Sequence, residues 1–167
     1  MSLMSPSSDE LKRLAAQWIL TQDPCIVAAP EVNVFCLGKE FRFDVLALRT
    51  APTYRLFGFE IKCSRQDFLQ DKKWPYYQQF VNHFYFVCPN ETIVGPQDVP
   101  KSVGLLYLKT NGVMALKAKR KATSRELDNP GQILFNISMM LLKNKVHEMH
   151  TYNQLRPSFY LSERSSP

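Results

Sequence analysis

The sequence predicts an α/β fold in which a mixed β-sheet is flanked by helices. Three observations predict it: apolar residues repeat with helical spacing near the N-terminus, several runs alternate like strands, and a helical segment separates two of those runs. A helix between two strands is typical of a crossover that joins parallel strands, whereas the hairpins that we also expect are antiparallel. The combination favours one mixed sheet covered by helices.

The N-terminal half predicts one helix and three strands. Ser8-Asp9-Glu10-Leu11 opens a helix that ends before Pro24, because polar capping residues lead into apolar residues at helical spacing. A short strand is expected over Glu31–Phe35. Two longer strand-like runs follow, Phe41–Leu48 and Leu56–Cys63, and Ala51-Pro52-Thr53 forms the loop between them.

The middle of the chain predicts a broken helix and then a buried strand. Ser64 and Asp67 form a candidate capping box for a helix over Arg65–Lys72. Pro75 lacks a backbone N–H, so it must begin a new helical segment or kink the first. The dense aromatic run His83–Cys88 is typical of a buried central strand, and we expect it to pair parallel with a neighbour.

The C-terminal part predicts a hairpin, a helix and a tail. Gly104–Thr110 and Val113–Lys119 flank Asn111-Gly112, the dipeptide that favours a type I′ turn. A strongly apolar helix is expected from near Asp128. Residues 1–3 resemble an expression-vector scar, residues 4–150 are predicted to form a single domain, and residues 151–167 are predicted to be a polar tail.

Composition points to a globular protein with an anionic partner. The 167 residues are 45% hydrophobic and 22% charged, and no apolar run is long enough to span a bilayer. The formal net charge is +6. The segment from Val99 to Arg125 has seven basic residues and no acid. Clustered basic residues favour nucleic acid, and the alternative is a solvated basic edge strand.

The four cysteines predict a reducing compartment. Cys25, Cys36, Cys63 and Cys88 are unevenly spaced and form no CxxC motif, which disfavours zinc. Each lies in an apolar stretch, so we expect buried free thiols. The polar N-terminus does not resemble a signal peptide. A cytoplasmic protein is therefore expected.

Asp44, Glu60 and Lys62 are the strongest candidates for a functional site. Glu60 and Lys62 are two residues apart, so they share one face of their strand. If paired residue numbers sum to 104, Asp44 lies opposite Glu60, where side chains are about 5 Å apart. Two carboxylates that close repel each other unless a cation such as Mg²⁺ or Mn²⁺ lies between them. The alternative is a set of solvated residues or a cross-strand ion pair.

A family resemblance strengthens the functional interpretation. Asp44 and the Glu60-Ile61-Lys62 element, followed by a helix and an aromatic strand, resemble the PD-(D/E)xK nuclease superfamily. The closer likeness is to the MmcB-type proteins of bacteria, which are proposed DNA repair nucleases. It covers about residues 28–122. The segments that carry it are Arg42–Leu48, Phe59–Phe68, Asp71–Tyr77, Phe84–Pro89 and Gly104–Leu106.

The resemblance implies a restriction-endonuclease-like core and metal-dependent hydrolysis of DNA. On the matching positions, Asp44 and Glu60 would bind Mg²⁺ or Mn²⁺ and Lys62 would assist the attacking water. Glu31 is the candidate for an additional acid, with Glu10 as its alternative. Two departures from the family pattern are Phe43 in place of the motif's proline and Asn82-His83 in place of Cys-Asp.

Other residues are candidates for supporting roles. Asp67 and Asp71 share a helix face and, with Lys73, Trp74 and Tyr77, could contact the site or the substrate, although capping explains Asp67 at least as well. Trp74 could stack on a base, but packing is the favoured interpretation. The candidates for this supporting group are Asp67, Asp71, Lys73, Trp74 and Gln79, with Gln78 as an alternative to Gln79. The candidates for contact with the DNA backbone are Lys109, Lys117, Lys119, Arg120 and Lys121.

Three functions remain open from the sequence. The first is a metal-dependent DNA endonuclease acting in repair. The second is a catalytically silent module with the same fold that binds DNA or a repair partner. The third is a protein-interaction domain without a nucleic-acid role. DNA is the expected partner, a membrane is not expected, and a homodimer is a further candidate state.

Overall fold

The structure, a computed structural model, describes residues 6–36, 38–109, 114–135 and 137–138. Ten helices and strands have defined bounds within these ranges. In chain order they are α1 (Ser8–Leu20), β1 (Ile26–Cys36), β2 (Lys39–Arg49), β3 (Arg55–Ile61), α2 (Arg65–Gln70), α3 (Trp74–Tyr77), a 3₁₀ helix (Gln78–Phe80), β4 (His83–Cys88), β5 (Gly104–Leu108) and β6 (Leu116–Arg120). Residues 130–135 and 137–138 are also helical.

The described strands form one mixed sheet, so the predicted α/β fold is confirmed. The strand order is β1-β2-β3-β4-β5-β6. The pairs β3–β4 and β4–β5 are parallel, and the other three pairs are antiparallel. The aromatic strand β4 is therefore central, as its continuous apolar pattern predicted.

Two apolar clusters cover the two faces of the sheet. Leu11, Leu14 and Ile19 of α1 pack on one face with Phe59 and Val87. The other face packs against α2 and the last helical segment, through Phe68, Ile133 and Ile137 among others. Both faces of the central strands are buried, which explains why β3 and β4 contain so few polar residues.

The predicted register of the β2–β3 hairpin is confirmed. Val45 pairs with Phe59 and Arg49 with Arg55, and both pairs of numbers sum to 104. Continuing that register by one row places Asp44 opposite Glu60. The loop is slightly longer than predicted, since β2 ends at Arg49 and β3 begins at Arg55.

Both predicted helix starts in the first half are confirmed. Ser7 caps α1, and its side chain and that of Glu10 complete a capping box. The hydroxyl of Ser64 caps α2 by accepting a hydrogen bond from the backbone of Asp67 at 3.1 Å. Pro75 lies in the first turn of α3, where its missing N–H is not needed.

Three sequence expectations about elements and burial were wrong. β1 starts at Ile26 rather than near Glu31, because Pro30 lies on the edge strand, where a missing N–H is tolerated. β3 ends at Ile61, so Cys63 lies past the strand and is exposed rather than buried. Cys25 is only partly buried, whereas Cys88 is buried as expected.

Several predictions lie outside the described residues. They are the Asn111-Gly112 turn, the continuation of the last helix past residue 138, the scar at residues 1–3 and the tail at residues 151–167. No helix in the described ranges is long and apolar enough to cross a membrane.

Candidate active site

Asp44, Glu60 and Lys62 line one cleft of about 570 Å³ at the end of β3. Glu60 is the penultimate residue of β3, and Lys62 directly follows the strand, where its backbone N–H donates to the carbonyl of Val87 at 3.0 Å. The structure therefore brings together the three residues that the sequence singled out. The full lining is Arg42, Asp44, Glu60, Lys62, Asp67, Gln70, Asp71, Lys72, Lys73 and Tyr77.

Asp44 lies where β2 changes the face that it presents to the core. Phe43 packs into the cluster beside α2, whereas Val45 packs into the cluster beside α1. Residues two apart in a regular strand share a face, so the strand is twisted at Asp44. The twist directs the carboxylate towards β3, where its Oδ2 accepts a hydrogen bond from the N–H of Ile61 at 2.8 Å.

Glu60 is a buried carboxylate with an unsatisfied oxygen. Its side chain is 11% exposed, and its Oε2 has no hydrogen-bond partner. Burial, followed by repulsion from Asp44, raises the pKa of Glu60 from 4.5 to about 8. Burial also raises the pKa of Asp44, against the hydrogen bond from Ile61. A buried acceptor without a partner is uncommon and indicates a site for a proton or a ligand.

Lys62 is held by a set of carboxylates. Its Nζ lies 2.8 Å from Oδ2 of Asp71, 3.2 Å from Oε1 of Glu60 and 3.8 Å from Oδ1 of Asp67. Burial alone would lower the pKa of Lys62, but the hydrogen bond to Asp71 and the charge of Glu60 outweigh it and raise the pKa. Lys62 is therefore a protonated ammonium at neutral pH.

Asp71 is placed to orient Lys62. It is the C-terminal cap of α2, and its Oδ1 accepts a hydrogen bond from the backbone N–H of Lys73 at 2.8 Å. Burial raises the pKa of Asp71, but the contacts with Lys62 and the backbone of Lys73 outweigh it and lower the pKa. The predicted group of Asp67, Asp71 and Lys73 thus lies in the cleft with Lys62.

Trp74 and Gln79 do not line the cleft. The Trp74 ring packs against Phe84 and Phe86, with ring centroids 6.3 Å and 5.4 Å away, so packing explains it. Gln79 is exposed in the 3₁₀ helix, and the cleft is lined by Gln70 instead. The backbone carbonyl of Gln78 accepts a hydrogen bond from Arg125.

The two candidates for an additional acid have other partners. Glu10 caps α1, with its Oε2 2.8 Å from the backbone N of Ser7. Glu31 lies 2.8 Å from Nζ of Lys12, a buried lysine that the sequence did not single out. Neither glutamate lines the cleft with Asp44.

Arg42, Gln70 and Lys72 line the cleft but were missed from the sequence. Arg42 could have been found, because it is two residues before Asp44 on the same strand. Gln70 could also have been found, since it lies one helical turn after Asp67. No sequence signal identified Lys72, because its place in the lining depends on how the chain turns between α2 and α3.

The predicted DNA-backbone residues fall into different settings. The Arg120 guanidinium donates hydrogen bonds to the backbone carbonyls of Pro96, Val99, Pro100 and Val103. It therefore stabilises the loop over residues 96–103 that leads into β5. Lys119 lies 3.5 Å from Glu91. Lys109 lies in a cleft beside Trp18 of α1. Lys117 is exposed on β6, which is an edge strand of the described sheet, and Lys121 is exposed directly after that strand.

Asp44 and Glu60 are residues of the cleft whose chemistry suits a hard dication. Both carry carboxylate oxygens, and Oε2 of Glu60 has no hydrogen-bond partner. Within the described residues, no group of three or more His, Cys, Asp or Glu side chains is placed to hold a metal ion. Mg²⁺ is commonly bound through one or two carboxylates, with water and substrate phosphate as the other ligands.

Comparison with known proteins identifies the family. The family model described as DNA repair protein MmcB-like matches residues 10–130. The chain belongs to this family. The match runs from the first turn of α1 to the start of the last helical segment and therefore includes every residue that lines the candidate site.

One solved structure shares the fold of this MmcB-like chain. It is a protein of unknown function from Silicibacter pomeroyi, with 19% sequence identity and a TM-score of 0.64. The similarity covers 95% of this chain and 99% of that one. No curated protein matches the sequence. The departure from the family pattern at Asn82-His83 lies away from the cleft, because His83 pairs with Phe57 at the opposite end of β3 from Glu60.

Proposed function

We propose that the chain is a Mg²⁺- or Mn²⁺-dependent DNA endonuclease that hydrolyses phosphodiester bonds during DNA repair. The main support is the pair formed by Asp44 and by Glu60 with its unpartnered oxygen, next to a buried, protonated Lys62. Membership of a DNA repair family supports the substrate class. The resemblance of the chain to the PD-(D/E)xK nuclease superfamily is compatible with the mixed sheet. It is also compatible with the order of Asp44, Glu60 and Lys62 along the sequence.

Each side chain has a role in the proposed reaction. Asp44 and Glu60 would hold the dication, which supplies Lewis acidity towards a phosphoryl oxygen and activates water. Lys62 is protonated, so it acts as a hydrogen-bond donor and not as a base. It would orient the attacking water or stabilise the charge that develops on the phosphate. Asp71 keeps the ammonium at the end of β3.

The rim of the cleft offers contacts for the DNA backbone. Arg42, Lys72 and Lys73 are exposed and line the cleft, so they can bind phosphates on either side of the one that is cleaved. Side chains that bind phosphate give affinity without reading sequence. The proposed enzyme therefore has little sequence specificity and binds DNA less tightly as salt increases.

The lysines of β6 are a second proposed contact region. One row of the sheet runs from Ile61 through Val87 and Leu106 to Ala118, which lies between Lys117 and Lys119. Three strand spacings separate β3 from β6, a distance of about 14 Å. A DNA segment bound at the cleft could reach these lysines.

Plasmid cleavage tests the proposal. The purified full chain is incubated with supercoiled plasmid and millimolar Mn²⁺, and nicked and linear products are measured. Asp44→Asn and Lys62→Met should each lower the rate at least about 100-fold. Glu126→Gln is the matched control, because it removes an exposed carboxylate that pairs with Arg55 and does not line the cleft. Equal cleavage by wild type and Lys62→Met would assign the activity to a contaminant or another site.

A catalytically silent DNA-binding module is the second candidate. It is favoured by one observation: within the described residues no group of three or more His, Cys, Asp or Glu side chains is placed to hold a metal ion, and Lys62 already contacts Oε1 of Glu60. Titration calorimetry distinguishes the two functions. Absence of Mn²⁺ binding at millimolar concentration, together with intact DNA binding, would support the silent module.

A further inference from the structure

Lys12 of α1 is a buried lysine that packing does not explain. It is 8% exposed as a residue, and its Nζ lies 2.8 Å from Glu31 Oε1 and 3.2 Å from Asp9 Oδ1. Both partners are largely solvated, with side-chain exposures of 53% and 90%. A lysine is rarely buried, since its charge must lose water. An apolar side chain at this position of α1 would be buried without the free-energy cost of desolvating an ammonium. Packing of the helix therefore does not account for a lysine here.

Glu31 has an unusual backbone conformation directly beside the site. Its φ is +52°, which is uncommon for a residue with a side chain, and Glu31 is the only non-glycine residue with positive φ in the described chain. Pro30 pairs with Val45 and Val32 pairs with Phe43, so Glu31 lies opposite Asp44. The twist that directs Asp44 to β3 therefore coincides with the left-handed residue on β1.

Both strands change face at this row. Val32 packs against the cluster beside α2, whereas Ala28 packs against the cluster beside α1. Phe43 and Val45 divide in the same way on β2. A backbone conformation of this kind persists only when its surroundings hold it. The ion pair with Lys12 is the side-chain contact that fixes Glu31 to α1.

We propose that Lys12 is a positioning residue for the Asp44–Glu60 site: its ion pair with Glu31 holds the twisted row in which Asp44 turns towards β3. The role rests on the carboxylate site proposed above. Lys12 also places a positive charge near Asp44. Burial raises the pKa of Asp44, while the hydrogen bond from Ile61 and the charges of Lys12, Lys62 and Arg42 oppose that rise.

The hydrogen bond from Ile61 N–H to Asp44 Oδ2 provides a direct reporter of this positioning. Amide hydrogen exchange, followed by NMR on the full chain, measures protection at Ile61. Lys12→Met should lower protection at Ile61 at least about tenfold, while amides of Leu106 in the distant part of the sheet keep theirs. Lys12→Arg preserves the charge and should restore most of the protection.

Two further variants sharpen the test. Arg13→Met is the matched control, because Arg13 is the next residue of α1, is exposed and contacts Gln17. It should leave Ile61 unchanged. Glu31→Gln keeps the side-chain length but removes the anionic partner, so it should lower Ile61 protection even if Lys12→Met does not fold. Protection within about twofold of wild type in Glu31→Gln and in folded Lys12→Met would overturn the role of Lys12.

Cleavage kinetics separate this role from the proposed function. If wild type cuts DNA, Lys12→Met should lower kcat at least about tenfold with little change in KM, since Lys12 does not line the DNA-facing cleft. Equal kcat values for wild type and Lys12→Met would contradict the positioning role. If wild type does not cut DNA, the nuclease proposal fails, and Ile61 exchange still decides whether Lys12 positions Asp44.

Discussion

Ionisation of Glu60 should lower the free energy of unfolding as pH rises. Glu60→Gln should abolish this pH-dependent decrease. In the folded chain the pKa of Glu60 is raised from 4.5 to about 8, first by burial and then by the charge of Asp44. The folded state therefore binds this proton more tightly than the unfolded chain. The stabilising contribution is complete below about pH 4.5 and is lost as pH rises through about 8.

The size of the effect follows from the pKa. A rise of about 3.5, at about 1.4 kcal/mol for each pKa unit, gives a maximum cost of about 5 kcal/mol for an ionised Glu60. About 3 kcal/mol of that cost develops between about pH 5.5 and pH 9. Glutamine is a neutral analogue of the protonated acid, so the variant should not lose this amount.

Urea unfolding at the two pH values measures the effect. The free energy of unfolding of Glu60→Gln should exceed that of wild type at about pH 9, and the difference should be about 3 kcal/mol smaller at about pH 5.5. Glu126→Gln is the control, because its exposed side chain should change stability by less than about 1 kcal/mol at either pH. A difference between wild type and Glu60→Gln that does not change with pH would refute the reasoning.

Mn²⁺ extends the same experiment to the proposed metal site. A dication favours the ionised form of Glu60. Millimolar Mn²⁺ should therefore increase the free energy of unfolding of the wild-type protein at about pH 9. It should stabilise Glu60→Gln much less, because one of the two carboxylates is missing. Equal stabilisation of both proteins would place the bound ion elsewhere.

Three other changes have defined outcomes. Gly104→Ala should lower the free energy of unfolding by about 2 kcal/mol in urea titrations, because its Cβ would overlap the Tyr85 ring and lie 2.8 Å from the backbone nitrogen of Ala122; a neutral effect would show that both the ring and this backbone segment give way. Asn82→Ala should cost about 2 kcal/mol by the same measurement, because the buried side chain satisfies the N–H of Leu56 and the carbonyl of Arg125; wild-type stability would contradict this. Replacing both Arg42 and Lys73 by Met should reduce the slope of log affinity against log salt by about 2 in DNA-binding titrations, whereas an unchanged slope would place the DNA elsewhere.

The β2–β3 register was predictable because local signals agreed. Phe57, Phe59 and Ile61 alternate with other residues, and a one-residue slip would have turned them away from their cluster. Pro52 marked the loop. These constraints lie within about twenty residues of sequence, so they placed Asp44 opposite Glu60 without any knowledge of the rest of the fold.

The contact between Lys12 and Glu31 was not predictable in the same way. Lys12 follows Leu11 on a helix with an ordinary apolar face, and nothing in that spacing indicates burial. Its partner is 19 residues away, on a strand that was predicted to start too late. Trp74 illustrates the opposite case, since its sequence setting fitted both stacking on a base and packing, and only the rings of Phe84 and Phe86 decide between them.

The charges around the cleft are costly for a fold that is otherwise apolar. Asp44 and Glu60 both have raised pKa values because of burial, and Lys62 is nearly inaccessible to solvent. Replacing buried ionic groups with apolar residues is often neutral or stabilising, so stability alone is a weak reason for these groups to be buried here. Lys62 has ion-pair partners in Glu60 and Asp71, whereas Oε2 of Glu60 has no hydrogen-bond partner. A ligand that supplies positive charge at that oxygen would stabilise the ionised pair, which is why metal binding and pH-dependent stability should respond to the same substitution.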